Sequence, residues 1–301
     1  MLPRKKLKNP KKVKKYATID IGSNAVRLLI SNIYVKNGKD FEATKNSLVR
    51  VPLRLGQDAF GLGKIKEKNI KKLIDVIQSF VLLMKVNDVK KYLAYATSAL
   101  RCSENSHFIV ERIKNKTGLS LEIISGNKEA KLIAKNKVFQ NKEKLFCIID
   151  VGGGSTELTL LKNNNIIKSK SFKIGGVRLM NNLVSAKVWN GFTFWVKNNL
   201  KNLNIESVVG FGGNINKIFK LSGNNNEKPL SLRKITLTLN KLESLNFEEK
   251  SIDLKLNPDR LDVIVPAGRI YEYIIKEISA KEIWVPKLGL ADGMVYELLN
   301  D

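Results

Sequence analysis

Two stretches of this sequence end an apolar run in a carboxylate and follow it with a glycine-bearing turn: Ile19-Asp20-Ile21-Gly22-Ser23-Asn24 and Ile149-Asp150-Val151-Gly152-Gly153-Gly154-Ser155-Thr156. A turn without side chains lets backbone N–H groups close on an anion, and the hydroxyl and amide residues beside the glycines add donors. Glu157 follows the second turn directly, and a hairpin there would return it toward Asp150. Carboxylates beside a bound phosphate repel it unless a cation intervenes. Mg²⁺ is the usual cation, because it takes one or two carboxylates together with phosphate oxygens. Either turn alone is readily explained as a tight hairpin that holds nothing. Two of them at matching places suggest a phosphate gripped from both sides of a cleft.

The surrounding pattern has to position both turns. Residues 16–22 read as a short buried strand, 25–35 as a second strand, 37–39 as a hairpin turn and 45–55 as a third strand. The apolar spacing of Ile65, Ile70, Leu73, Ile74 and Ile77 predicts a helix within 64–86. A strand at 91–96 follows, then a helix over 103–118 with Ser103 as N-cap and Gly118 as its stop. A strand at 120–125 and a helix over 127–139 complete the half. The order then restarts, with strands at 145–153, 155–162 and 166–174 and a turn at 163–165. Helices over 177–201, a strand and turn at 207–213, further helices, a strand at 282–287 and a last helix from 290 follow. This repetition predicts an α/β chain of two duplicated lobes with a central cleft. The division it gives is a basic disordered tail over 1–15, an N-terminal lobe over 16–125 and a C-terminal lobe over 126–301, the last helix packing back on the first lobe.

Of the 301 residues 43% are hydrophobic, enough for real cores, and no apolar run approaches the roughly 20 residues of a membrane span. With 53 Lys and Arg against 28 Asp and Glu, the net charge of +25 favours polyanions. An abundance of Lys, Asn and Ile from genomic base composition explains the same charge, so it permits such ligands without identifying one. The tail lacks aromatic residues to stack on bases, which argues against a nucleic-acid arm. Two cysteines and one histidine argue against a disulfide framework or a zinc site, and point to a reducing, cytoplasmic setting with no membrane partner. No apolar signal-peptide core follows the basic N-terminus. Oligomeric state is left open, a homodimer included.

The paired loops resemble the ribonuclease H-like superfamily of actin, sugar kinases and the 70-kDa heat-shock chaperones, in which Gly212 and Gly213 of "GFGG" stand where a third glycine turn lies. A closer resemblance rests on an ordered set: "DIGSNAVRLLI", "YATSALR" joined to "ISGNKEA", "IIDVGGGSTELTLL", "KIGGVRL", "GFGG", "NPDRLDVIVPAGRI" and "LGLADG". Together these are similar to the exopolyphosphatase / guanosine pentaphosphate phosphohydrolase (Ppx/GppA) family, in its short two-domain form.

The resemblance implies Mg²⁺-dependent hydrolysis of a terminal phosphoanhydride by a hydrolase acting on phosphorus-containing acid anhydrides. It implies Glu129 as the base that activates water, and Asp150 and Glu157 as the metal-associated acids. Gly152, Gly153, Gly154 and Ser155 would cradle phosphate, with Asp20, Gly22, Ser23 and Asn24 opposite. Arg27 and Arg101 match basic positions near the phosphate chain, and Arg269 is a further candidate contact. Position also suits Glu129 to the role, since it opens a helix at the junction between the lobes; a glutamate there is equally expected from the helix dipole. Lys128 stands where relatives often carry a second glutamate, Asn214 where a threonine is common and Ala291 where an arginine is common. If Lys128 pointed at Glu129 it would lower that pKa and weaken the base. The readings this leaves are polyphosphate hydrolysis first, guanosine pentaphosphate (pppGpp) hydrolysis second, and a non-catalytic guanosine tetra- or pentaphosphate sensor third. An ATP-dependent kinase of the same superfamily comes last.

Overall fold

The computed structural model describes residues 13–36, 40–139, 144–225 and 228–300. In chain order the elements are β1 (Lys14–Ile21), β2 (Ala25–Lys36), β3 (Asp40–Pro52), α1 (Leu55–Leu62), α2 (Glu67–Val86), β4 (Lys91–Ala96), α3 (Ser98–Arg101), α4 (Ser106–Thr117), β5 (Glu122–Ile123) and α5 (Gly126–Ala134). The second half holds β6 (Phe146–Val151), β7 (Thr156–Lys162), β8 (Asn165–Phe172), α6 (Gly176–Met180), α7 (Ala186–Asn199), β9 (Ser207–Phe211) and α8 (Gly213–Leu221). It continues with β10 (Leu230–Ser231), α9 (Leu232–Ser244), α10 (Phe247–Ser251), α11 (Ile264–Glu277), β11 (Glu282–Ile283) and α12 (Leu290–Asn300). Short 3₁₀ turns lie at Lys137–Phe139 and Pro258–Arg260.

The duplication read from the sequence is present in the topology. The first sheet has the order β3-β2-β1-β4-β5 and the second the order β8-β7-β6-β9. In both, three antiparallel strands are joined by strands parallel to the first, so the fold is a mixed α/β arrangement of two like halves. β1 and β6 are central and largely buried on both faces, as strands covered on two sides are. The first core gathers Ile19, Ile21 and Leu28 under α2 and α4. The second gathers Ile149, Leu158 and Phe192 under α7, α8, α9 and α11. Trp189 and Trp195 belong to that second core, against Phe192 and Phe172. α12 lies on the first sheet, where Ala291, Val295 and Leu298 meet Tyr16, Leu29 and Ile33. The Thr18 hydroxyl donates to the Ala291 carbonyl at 2.9 Å.

Several boundaries differ from the sequence reading. β1 starts at Lys14, inside the expected tail, because backbone pairing to Ile33 and Asn32 needs no apolar side chain. The rest of the tail, and the turn expected at 37–39, lie outside the described residues. The expected third strand stops at Pro52. Arg54 turns the chain with φ 53°, and α1 follows, buried through Leu55 and Ala59 and stopped by Gly63 at φ 72°. α4 begins at Ser106, not 103, since Ser103 turns back and donates to the Ala99 carbonyl. Gly118 ends α4 as expected, at φ 72°. β5 and β11 are two-residue remnants of the strands expected at 120–125 and 282–287. Asn163 and Asn164 take left-handed backbone in the β7–β8 turn, as a two-residue hairpin demands.

Candidate active site

Both glycine turns close in the same way. The Gly22 N–H donates to the Ala25 carbonyl at 3.1 Å, and the Gly152 N–H to the Ser155 carbonyl at 2.9 Å. The turns also touch each other. A Cβ placed on Gly153 would lie 3.0 Å from the Ser23 Cβ and 3.0 Å from Val177. A Cβ on Gly154 would enter the ring of Phe60, which α1 brings across from the first half. None of Gly152, Gly153 or Gly154 has the positive φ that favours glycine. These glycines answer to close approach between the two halves, not to hairpin geometry.

A cleft of about 280 Å³ opens where the turns meet. Asp20, Gly22, Ser23, Asn24, Arg27, Glu129, Asp150, Gly152, Gly153, Ser155, Gly212 and Gly213 all line it. Gly154 lies behind the wall against Phe60. Glu157 stands next to Asp150, its register partner across β6 and β7. Arg101 is behind Glu129, its Nη1 3.5 Å from Glu129 Oε2 but donating to the Ile124 carbonyl at 2.6 Å.

Arg269 does not reach the cleft. It sits further along α11, bonded to Glu243, Glu272 and Asn240. The cleft arginine of that motif is Arg260, whose Nη1 donates to the Gly213 carbonyl at 2.6 Å. Arg50, on β3, is the other cleft arginine absent from the sequence reading. It pairs with the buried Asp259, which also accepts from the Asn24 amide at 2.9 Å. Arg27 donates to Asp20 at 2.6 Å. Burial first, and then the neighbouring charges of Arg50 and Arg27, push the Arg260 guanidinium down to about 10, which leaves it charged at neutral pH. Three arginines held this close form a cationic wall. The motif containing Arg260 was visible, but nothing in the spacing chose between its two arginines, and β3 offered no local signal for Arg50.

Lys128 points outward. Its ammonium lies 2.8 Å from Glu122 and over the Tyr95 ring, away from Glu129.

The acidic floor of the cleft has the opposite problem. Oxygens of Glu129, Asp150 and Glu157 lie within 4.8 Å of one another. Burial, with Glu157 and Asp150 as neighbours, raises the Glu129 carboxyl well above its usual range; Arg101 only partly opposes this. Burial, Glu157 and Asp20 push Asp150 up to about 7. Burial also raises Glu157, against hydrogen bonds from Ser171 and Ser155. Glu129 Oε2 is buried and accepts no hydrogen bond, although the residue is only 8% exposed. A buried carboxylate oxygen that accepts no hydrogen bond, inside an all-oxygen cluster, is the environment a hard divalent cation stabilises, so the residues fit such an ion.

Tyr271 fixes the strand ends that carry this chemistry. The β6–β9 ladder ends at Asp150 and Phe211, and Gly212 then turns away at φ 115°. The fully buried Tyr271 hydroxyl bridges the gap, accepting from the Val151 N–H at 3.1 Å and donating to the Phe211 carbonyl.

Comparison with known proteins identifies the family and the fold. The profile of the Ppx/GppA phosphatase family matches residues 47–301. A bifunctional 3-dehydroquinate synthase/phosphatase of Fusobacterium nucleatum is 30% identical over 202 residues, 62% of this chain and 30% of that protein. Exopolyphosphatase 1 of Mycobacterium tuberculosis is 30% identical over 143 residues, 47% of this chain and 40% of that protein. The matches thus span less than half the length of these two curated relatives. The crystal structure of an exopolyphosphatase from Cytophaga hutchinsonii has the same fold, with a TM-score of 0.83 at 22% identity over 95% of this chain and 98% of that one.

Proposed function

This chain belongs to the Ppx/GppA phosphatase family, and from that premise we propose that it is a Mg²⁺-dependent exopolyphosphatase, removing the terminal phosphate of inorganic polyphosphate. The observation that carries the reading is the juxtaposition of a three-carboxylate cluster, Glu129 and Glu157 buried and Asp150 half-buried, with two facing glycine turns and three arginines at one cleft. A linear polyanion suits the arginine wall, and backbone N–H groups at the turns suit its terminal phosphate.

Water adds to the terminal phosphorus and the bridging P–O bond breaks, giving orthophosphate and a chain one unit shorter. Glu129, at the edge of the acidic cluster and lining the cleft, takes the water proton. Arg27, Arg50 and Arg260 hold the chain and offset the charge on its leaving oxygen. Asp150 and Glu157 would hold Mg²⁺, which supplies charge neutralisation at the phosphoryl oxygens when bound. No helix among the described residues is long and apolar enough to cross a membrane. With its two free thiols the chain suits a reducing compartment, and we place it in the cytoplasm.

A second reading has an observation of its own. The cleft lining includes apolar surface from Leu29, Leu48, Leu288 and Leu290, beside the Lys45–Asp292 ion pair. A linear phosphate chain has no use for that surface, whereas the base of guanosine pentaphosphate does. Phosphate release from long-chain polyphosphate, guanosine pentaphosphate and ATP, each with Mg²⁺, separates the cases. Release from polyphosphate that vanishes in Glu129→Gln supports the first. Release from guanosine pentaphosphate alone selects the second. Tight guanosine tetraphosphate binding without release from any substrate identifies a sensor.

A further inference from the structure

Building on that reading, we propose that Ser171 is a positioning residue that sets the divalent-cation site by fixing Glu157 and the helix that carries Glu129. Glu157 occupies the middle of a cross-strand row. Asp150 is its partner on β6 and Ser171 its partner on β8. One side of Glu157 therefore faces a like charge, and the other faces a donor. The Ser171 hydroxyl donates to Glu157 Oε1 at 2.7 Å. Fixing one carboxylate oxygen fixes the plane of the group, and with it the direction of the other oxygen.

The same serine is a spacer for α5. A Cβ on Gly126, the first residue of α5, would lie 2.6 Å from the Ser171 Cβ, 2.7 Å from its Oγ and 3.4 Å from Glu157 Oε1. Only a glycine lets the helix start seat on the serine–glutamate pair. Glu129 is three residues further on, in the first turn of that helix. One small hydroxyl side chain thus touches both the Glu157 carboxylate and the base of the helix whose Glu129 completes the cluster. Ser171 itself is exposed on the outer strand β8, so nothing in the core requires a hydroxyl there.

Calorimetric titration of the full chain with MgCl₂, beside steady-state hydrolysis of polyphosphate, tests this. In Ser171→Ala, Mg²⁺ binding weakens about tenfold or more, the scale of outer-shell substitutions at metal sites. The KM for polyphosphate at saturating Mg²⁺ stays within about twofold, because the arginine wall is untouched. In a Glu157→Gln background the serine substitution has no further effect on Mg²⁺ binding, since alanine keeps the Cβ on which Gly126 seats and removes only the bond to that carboxylate. Gly126→Ala, which forces α5 off its seat, weakens Mg²⁺ binding while Ser171 is intact. Mg²⁺ binding by Ser171→Ala within twofold of the native chain, at an unchanged melting temperature, overturns the proposal. A native chain that binds no Mg²⁺ overturns it together with the metal-dependent reading. Mg²⁺ binding that depends on Ser171, in a chain that hydrolyses no phosphoanhydride, supports the serine assignment and removes the hydrolase alone.

Discussion

Asp150 and Glu157 face each other directly across β6 and β7, two carboxylates in register on adjacent strands. Like charges so placed destabilise a ladder, and here burial adds to the cost. The register follows from the turn between the strands, which the Gly152 N–H closes on the Ser155 carbonyl. It follows that the metal-free fold carries a strain that protons or a cation relieve.

The sign of the resulting pH dependence is fixed by Asp150. Its folded pKa, about 7, is above the value near 4 expected of an unfolded aspartate. Between those values the folded state binds more protons than the unfolded state, so stability falls as pH rises through the window and is flat above it. The metal-free chain should therefore show a melting temperature that declines from pH 5 to pH 7.5 relative to Asp150→Asn. Mg²⁺ needs the ionised carboxylates, so its stabilising effect should be larger at pH 8 than at pH 5.5. Parallel melting profiles for the native chain and Asp150→Asn, with and without Mg²⁺, would remove the electrostatic account of the cluster.

Arg260 and Arg269 come from one motif and make opposite predictions. Arg260 faces the cleft and Arg269 the groove between α9 and α11. Arg260→Met should raise the KM for polyphosphate about tenfold or more, the range for a charge-assisted hydrogen bond, with a smaller change in kcat. Arg269→Ala should leave both constants alone and lower stability by about 1 kcal/mol, the scale of a partly exposed ion-pair network. Steady-state kinetics and melting curves on the two variants decide it, and a KM effect in Arg269→Ala would contradict the placement.

Lys128 departs from the expected glutamate, and its orientation predicts that the departure is nearly silent. It is bound to Glu122 and to the face of Tyr95 on the outer side of α5. Lys128→Glu should cost under about 1 kcal/mol, as for other exposed pairs, and change phosphate release less than threefold. A tenfold change in rate, or a displaced pH optimum, would show that Lys128 acts on Glu129 after all.

The features legible in the sequence were those with a local cause. Both turns, the Asp150–Glu157 hairpin, the left-handed Asn163-Asn164 turn and the stop at Gly118 follow from residues within a few positions of each other. The duplicated strand order follows from alternation and helical period. The cleft arginines had no such cause: Arg50 is placed by a bond to Asp259, more than two hundred residues away. α1 was hidden because its start depends on a left-handed Arg54, which has no sequence signature. The reason for the three glycines was equally hidden, since Ser23, Val177 and Phe60 press on them only after the halves meet.

Tyr271 shows how such a long-range contact reaches the chemistry. Its hydroxyl completes one rung between β6 and β9 that the backbone cannot make once Gly212 turns out of the ladder. Tyr271→Phe keeps the ring and the packing but leaves the Val151 N–H and the Phe211 carbonyl without a partner. Each buried orphan costs about 1–3 kcal/mol, so with two of them the variant should be less stable by about 2–6 kcal/mol unless water enters. The two strand ends it releases carry Asp150 and the Gly212-Gly213 turn, one for the cation and one for the phosphate chain. Loss of the rung should therefore lower kcat and Mg²⁺ affinity together at a temperature well below the melting point. Melting curves, MgCl₂ titration and phosphate release on the one variant measure all three. A Tyr271→Phe protein that melts earlier yet binds Mg²⁺ and turns over like the native chain would mean that the hydroxyl supports the fold and not the site.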